Sequence, residues 1–333
     1  MTFVPAMNDV SYLGHIELGT PKMEESLWFF TEMMGMAETA REGQSVYLRC
    51  WGDVDRTTLK LTESRDAGLL HTGWRTNGPD ALERRVASLE ASGRGIGWVE
   101  GDVGHGAAYR FTDPDEHLME VYWDVERYQC SDADRSHYKN TPQRLSNRGA
   151  MVRRLDHLHV LCNDVPLNRG FMSEQLGFKL RENVVLDDGT ELSSWNSVTP
   201  LVHDIAYSLD GAVGAKGRLH HAGWLLENRE DILRAADIFS DNGIFLESGP
   251  SRHKISHQFF LYLYEPGGNR IELVTGGYLI FHPDWEPITW SEADRKHGQA
   301  WGLHLPPSFH SYGTPVVDAD AYEHRDITVV GLT

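Results

Sequence analysis

Hydrophobic positions along this chain follow two alternating rhythms. Segments such as LDHLHVLC (155–162) are apolar at every second position, the pattern of a strand with one buried face. Segments such as EDILRAADIFSDNG (230–243) carry apolar residues at helical spacing and stop at Gly243. The acid-Pro pairs Asp113-Pro114 and Glu265-Pro266 mark turns between consecutive strands. Residues 130–149 are polar and aperiodic and read as a linker.

The rhythm repeats. LGHIELGTPKMEESLWFFTEMMGM (13–36) aligns with LDHLHVLCNDVPLNRGFMSEQLGF (155–178), placing His15 on His157 and Gly35 on Gly177. LLHTGWRTNGPDALERRVASLEASG (69–93) aligns with LHHAGWLLENREDILRAADIFSDNG (219–243), placing His71 on His221 and Trp74 on Trp224. FTDPDEHLMEVYW (111–123) aligns with LYEPGGNRIELVT (263–275), placing Glu120 on Glu272. Each half therefore reads as βαβββ twice. The expected fold is α+β, tandem βαβββ modules, two per domain, forming two incomplete β-barrels. The expected division is an N-terminal domain over 1–130, a linker over 131–150, a C-terminal domain over 151–284 and a tail over 285–333. The tail bears His297, Trp301, His304 and His310; it reads as wrapped over one domain, with these side chains closing over a pocket or, by default, forming solvated surface.

Composition removes several classes of function. With 31 basic and 49 acidic residues and a net charge of −18, the surface repels phosphate backbones and anionic lipid, so nucleic acid and membranes are not expected partners. Cys50, Cys130 and Cys162 are widely spaced and form no CxxC pair, which argues against a disulfide framework or a thiolate zinc site and suits a reducing cytoplasm. The first residues, MTFVPAMNDVSYL, lack the basic-then-apolar pattern of an export signal, and no run of about 18 apolar residues occurs. GRGIG (93–97) follows a helix rather than a strand and reads as a helix stop and turn, not a dinucleotide fingerprint. No P-loop or GxSxG string is present.

Three residues of the C-terminal half are candidates for one metal site: His157 on a first strand, His221 on a middle strand and Glu272 on a closing strand. Two imidazoles and one carboxylate leave open positions on an octahedral ion, which suits iron(II) holding substrate and oxygen together. Taken singly, each is a residue type that more often ends hydrogen-bonded in a core or solvated at a turn.

The strings RLDHLHV, VHDIAY, GRLHHAGW, GPSRHKISHQFFLYLYEPGGNRIELVT and the later ITW resemble the type I extradiol (catechol 2,3-) dioxygenases of the vicinal oxygen chelate superfamily. The resemblance covers nearly the whole chain and is closest over 153–290. It implies His157, His221 and Glu272 as ligands of Fe(II), with Mn(II) possible on the same set. His220 then stands behind the ligand His221 and supports it, His203, His253 and Tyr262 form the acid-base set, and Trp195, His253 and Tyr262 contact substrate. The implied reaction is extradiol cleavage of catechol or an alkyl- or aryl-substituted catechol by O2, giving 2-hydroxymuconic semialdehyde-type products in aromatic hydrocarbon catabolism. His203 is expected to handle the oxygen's proton, and His253 and Tyr262 to hydrogen-bond the substrate oxygen. A homo-oligomer, a tetramer or larger, is implied as well. One departure is YSLDGAVGAKGRLH between His203 and His221, which resembles a surface hairpin insertion. Rival readings on the same fold are a glyoxalase-type metal isomerase, which gives no reason to keep His203, His253 and Tyr262 together, and a non-catalytic ligand-sequestering protein, which needs no intact triad.

The repeat also sets His15, His71 and Glu120 in the N-terminal half. There Arg110 falls where Tyr262 does and Gly101 where His253 does, so this set is expected to be a relic of duplication without catalytic metal. Within the resembled family, the homoprotocatechuate branch presents two arginines to a substrate carboxylate. Their positions hold Ser248 and Gly298 here, which predicts an uncharged catechol, with Arg252 and Lys296 as the neighbouring cations that bear on that expectation.

Overall fold

The computed structural model describes residues 8–325 apart from Lys296. The first seven residues, part of the segment read above for an export signal, and Lys296, named above as a neighbouring cation, lie outside the described residues. The N-terminal half runs β1 (Val10–Thr20), α1 (Met23–Trp28), β2 (Ala37–Glu42), β3 (Ser45–Arg49), β4 (Leu59–Glu63), β5 (Gly68–Thr76), α2 (Pro79–Ala91), β6 (Gly95–Val99), β7 (Ala108–Thr112) and β8 (Leu118–Tyr122). The C-terminal half runs β9 (Arg154–Cys162), α3 (Val165–Leu176), β10 (Lys179–Val185), β11 (Glu191–Ser197), β12 (Ile205–Leu209), the short β13 (Ala212–Val213), β14 (Leu219–Leu225), α4 (Arg229–Asp241), β15 (Leu246–Arg252), β16 (Gln258–Tyr264) and β17 (Arg270–Gly276). Beyond it come β18 (Ile288–Ser291), α5 (Glu292–Arg295), α6 (Pro307–Ser311) and β19 (Glu323–His324). Setting β13 aside, each half is βαβββ twice, as the repeat predicts. No helix among the described residues is long and apolar enough to cross a membrane.

The helix limits have local causes. Asp164 and Asn228 cap α3 and α4 by accepting from the backbone N–H of Leu167 and Asp231, and Gly177 and Gly243 follow the two helices at positive φ. Each half folds as one mixed sheet, ordered β2-β3-β4-β1-β5-β8-β7-β6 and β15-β16-β17-β14-β9-β12-β11-β10-β18. In both, the first strands of the two modules pair antiparallel at the centre, β1 with β5 and β9 with β14. The C-terminal sheet curls enough that Val184 on β10 and Tyr262 on β16 line one cavity, while its end strands β15 and β18 do not pair with each other. That is an incomplete barrel.

The halves share a continuous apolar core. They are also tied by the acid-Pro turns, whose carboxylates do more than separate strands. Ser26 donates to Glu265 at 2.6 Å and Tyr207 donates to Asp113 at 3.0 Å, each bond crossing to the other half.

The stretch after His203 is a correction to the expected surface insertion. Tyr207 to Leu209 belong to β12, which pairs in parallel with β9, and Asp210 and Arg218 form a buried ion pair at 2.5 Å. Burial follows because the tail covers this turn: Arg218 donates to Gly313 and Pro315 carbonyls, and β13 pairs with β19.

Candidate metal centre

One transverse row of the C-terminal sheet carries His157, Gly223, Glu272 and Tyr262 on β9, β14, β17 and β16, cross-strand partners in turn. His157 and Glu272 are separated by a whole strand, and they meet because Gly223 between them has no side chain. A Cβ on Gly223 would stand 2.4 Å from the His157 ring. His157 Nε2 therefore lies 2.8 Å from Glu272 Oε2, and His221 Nε2, from the next row of β14, lies 3.1 Å from the same oxygen. The two Nε2 atoms are 3.1 Å apart, and all three side chains are buried.

The surrounding hydrogen bonds set the tautomers. The Phe309 carbonyl can only accept, so His220 holds its proton on Nε2, 2.7 Å away. His220 Nδ1 then accepts from His221 Nδ1 at 2.6 Å, which leaves a bare lone pair on His221 Nε2. Asp156, 3.3 Å from His157 Nδ1, does the same for His157. Two lone pairs and a carboxylate oxygen about 3 Å apart repel one another unless a cation lies among them, so the donor set fits a divalent ion. In the bare protein a proton takes that place. Burial opposes charge on His157, yet its hydrogen bonds to Asp156 and Glu272 push its pKa up to about 9. Burial likewise works against the Glu272 carboxylate, but His221 and His157 hold it well below the usual range.

Around this set stand the other expected residues. The His203 ring is 4.2 Å from that of His157, held by a turn in which Asp204 accepts from the backbone N–H groups of Val198 and Thr199. Burial, with the neighbouring charge of His157, keeps the His203 pKa well below its usual value. Tyr262 lies 3.1 Å from His253 Nε2, which is 3.3 Å from Glu272 Oε1. Burial and the Glu272 charge hold the Tyr262 phenol protonated, its pKa well above the usual one. Trp195, His203, His253 and Tyr262 line one cavity of about 160 Å³ together with His220, His221 and Glu272.

Several residues of this site escaped the sequence. His159 lines the cavity and donates to or accepts from Ser208 at 2.7 Å; its place two residues after His157 on an alternating strand was a readable signal. Gln299 accepts from His253 Nδ1 at 2.8 Å, and Phe309 packs on Tyr262 at 4.9 Å, with no local pattern to announce either. Of the two readings of the tail, His304 and His310 take the one that closes over the cavity, whereas Trp301 is exposed. Of the positions weighed for a substrate carboxylate, Arg252 bonds the His257 carbonyl and is not in the lining while Gly298 is, and Arg295 adds a guanidinium to the cavity wall. Ser248 sits opposite Tyr262 on β15, its hydroxyl buried without a hydrogen-bond partner.

The N-terminal half repeats the row as His15, Gly73, Glu120 and Arg110. Register confirms that Arg110 takes the place of Tyr262, and its Nε lies 3.2 Å from Glu120 Oε2. His105, from the loop after β6, also reaches Glu120; the register that sets Glu120 on Glu272 sets it on the exposed His257, and its role was not foreseen.

Both halves match the Glyoxalase/Bleomycin resistance protein/Dioxygenase superfamily, over residues 12–121 and 154–273, and the chain belongs to that superfamily. It is 46% identical over 311 residues to the metapyrocatechase of Geobacillus stearothermophilus, covering 92% of this chain and 94% of that one. It is 42% identical to the manganese-dependent 2,3-dihydroxybiphenyl 1,2-dioxygenase of Geobacillus genomosp. 3, covering 88% and 94%. The crystal structure of the 2,3-dioxygenase LapB from Pseudomonas sp. KL28 superposes with a TM-score of 0.79 at 32% identity, covering 86% of this chain and 99% of that one. Within the superfamily, these likenesses set the chain among the type I extradiol dioxygenases.

Proposed function

We propose that this chain cleaves catechol, or an alkyl- or aryl-substituted catechol, beside the diol with O2 at a single Fe(II) held by His157, His221 and Glu272, giving a 2-hydroxymuconic semialdehyde-type product. The observation that carries this reading is the pair of imidazole lone pairs facing one carboxylate oxygen at the floor of a cavity that His203, His253 and Tyr262 also line. Manganese(II) is the second reading of the metal, favoured by the manganese-dependent relative.

The ion would supply a redox-active centre that holds both catechol oxygens and O2 close together. The chain's own residues do the rest. Tyr262, a protonated phenol, donates to a substrate oxygen and steadies charge there as the ring becomes a ketone. His253, oriented by Gln299, receives or returns the proton of that phenol. His203, neutral because it is buried, is free to take a proton and pass it toward oxygen. Trp195, Leu192 and Phe309 wall the ring and exclude water. Ser248 and Gly298, standing where the resemblance puts the two arginines of a carboxylate-binding branch, support an uncharged ring substituent over a carboxylate.

Residues 151–284 would form the catalytic domain, joined by a linker over 131–150 to an N-terminal domain over 1–130, with 285–333 as the tail, in a cytoplasmic homo-oligomer of four or more subunits. Anaerobic purification with metal analysis, followed by catechol and air, tests the reaction: a yellow ring-cleavage product is expected, and oxygen uptake without yellow product would point to different chemistry. His221→Ala should lose both iron and turnover. Loss of iron from His71→Ala with retention in His221→Ala would move the centre to the other half.

A further inference from the structure

We propose that the N-terminal half holds a second metal ion, a four-coordinate divalent cation of the zinc class, bound by His15, His71, His105 and Glu120 in a closed, non-catalytic site. Three imidazoles converge on one carboxylate oxygen. Glu120 Oε1 lies 3.3 Å from His15 Nε2, 3.4 Å from His105 Nε2 and 3.8 Å from His71 Nε2, and the Nε2 atoms of His15 and His71 are 3.0 Å apart. A tetrahedral ion with bonds of about 2.0–2.1 Å separates its ligand atoms by roughly 3.3 Å. Those distances match four of the six edges of such a tetrahedron, and His15, His105 and Glu120 offer ligand atoms that all lie within 4.8 Å of one another. Glu120 Oε1 is buried and has no hydrogen-bond partner.

Tautomers point the same way. His71 Nδ1 lies 2.6 Å from Glu17 Oε2, and His105 Nδ1 lies 2.9 Å from the Gly106 carbonyl. Both partners only accept, so both histidines carry their proton on Nδ1 and turn bare Nε2 lone pairs toward a bare carboxylate oxygen. Gly73 serves here as Gly223 does in the other half, since a Cβ there would stand 2.1 Å from the His15 ring. Two features separate this site from the C-terminal one. His105 reaches the same Glu120 oxygen as His15 and His71, whereas His253 reaches the Glu272 oxygen opposite the one His157 and His221 share, and Arg110 occupies the row position of the phenol while pairing with Glu120 Oε2. All four side chains are at most 6% exposed. A full set of protein ligands sealed from solvent is the form of a structural ion, whereas an open position serves catalysis.

The test uses the full-length, iron-loaded enzyme, dialysed against Zn(II) and then metal-free buffer, with metals counted per chain. One equivalent beyond the catalytic one is expected, and His105→Gln or Glu120→Gln should remove that equivalent while iron content and ring cleavage stay within about twofold. Co(II) offered in place of Zn(II) should give the intense visible bands of a tetrahedral ion, absent from His105→Gln. If those variants do not fold, the native stoichiometry and the cobalt spectrum still decide. No second equivalent, a second equivalent that survives both variants, or a cobalt spectrum of six-coordinate type only would overturn the inference. A sole equivalent lost on His221→Ala would sink it too, while leaving the proposed reaction standing.

Discussion

Replacing Arg270 with Met should unfasten the wall of the cavity before it touches the chemistry. Arg270 is fully buried and spends its five N–H donors in two directions. Nε and Nη2 grip Glu247 at 2.6 and 2.9 Å, while Nη2 bonds the Ser308 carbonyl at 3.0 Å and Nη1 bonds the carbonyls of Tyr312 and His220 at 3.0 and 3.2 Å. Breaking a buried ion pair from one side costs about 3–5 kcal/mol. Here Glu247 keeps the hydroxyls of Tyr264 and Ser308, so the lower end, about 3 kcal/mol, is expected. The two carbonyls on the tail each lose a bond worth about 1 kcal/mol, which makes detachment of α6 roughly 30-fold more frequent. Phe309 rides on α6, against Tyr262 and holding the proton of His220, so KM for catechol should rise about 10- to 30-fold, more than kcat falls. Limited proteolysis of the tail and steady-state kinetics read the two effects. The double variant Glu247→Leu/Arg270→Met should regain much of the stability, since the uncompensated carboxylate is gone, and still show the loosened tail. Native resistance to protease together with KM within twofold of the parent would refute this account of the latch.

Other expectations follow from the same geometry. His203→Asn should leave iron and catechol affinity nearly unchanged and slow turnover by about 100-fold or more, as expected for a lost proton-transfer group; a variant that loses iron would remove His203 from that role. Gly223→Ala pushes a methyl group into the His157 ring and should weaken metal retention by about 10- to 100-fold, measured by dialysis against chelator, with unaltered iron counting against the row geometry. Methylcatechols should exceed 3,4-dihydroxyphenylacetate in kcat/KM at one pH and saturating O2; a preference for the acid, abolished in Arg295→Met, would show that this guanidinium serves as a carboxylate clamp.

What could be read from the chain alone was whatever the repeat and the strand period carry. Duplication set His15 on His157, His71 on His221 and Glu120 on Glu272, and two-residue alternation put each member on one face of its strand, so the row His157-Gly223-Glu272-Tyr262 and its counterpart ending in Arg110 were implicit in the alignment. Only the tertiary structure decided what closes around those rows. His105 reaches Glu120 while its match in the repeat, His257, is exposed; Gln299 and Phe309 come from an aperiodic tail that the chain alone left between a cover and a solvated surface; and the β12–β14 segment is buried by that same tail rather than exposed as an insertion. Contacts of this kind join segments far apart in sequence through single hydrogen bonds and ring contacts. They leave no period in the chain, because connecting segments run over the surface of the scaffold that positions them and need not alternate buried and exposed residues.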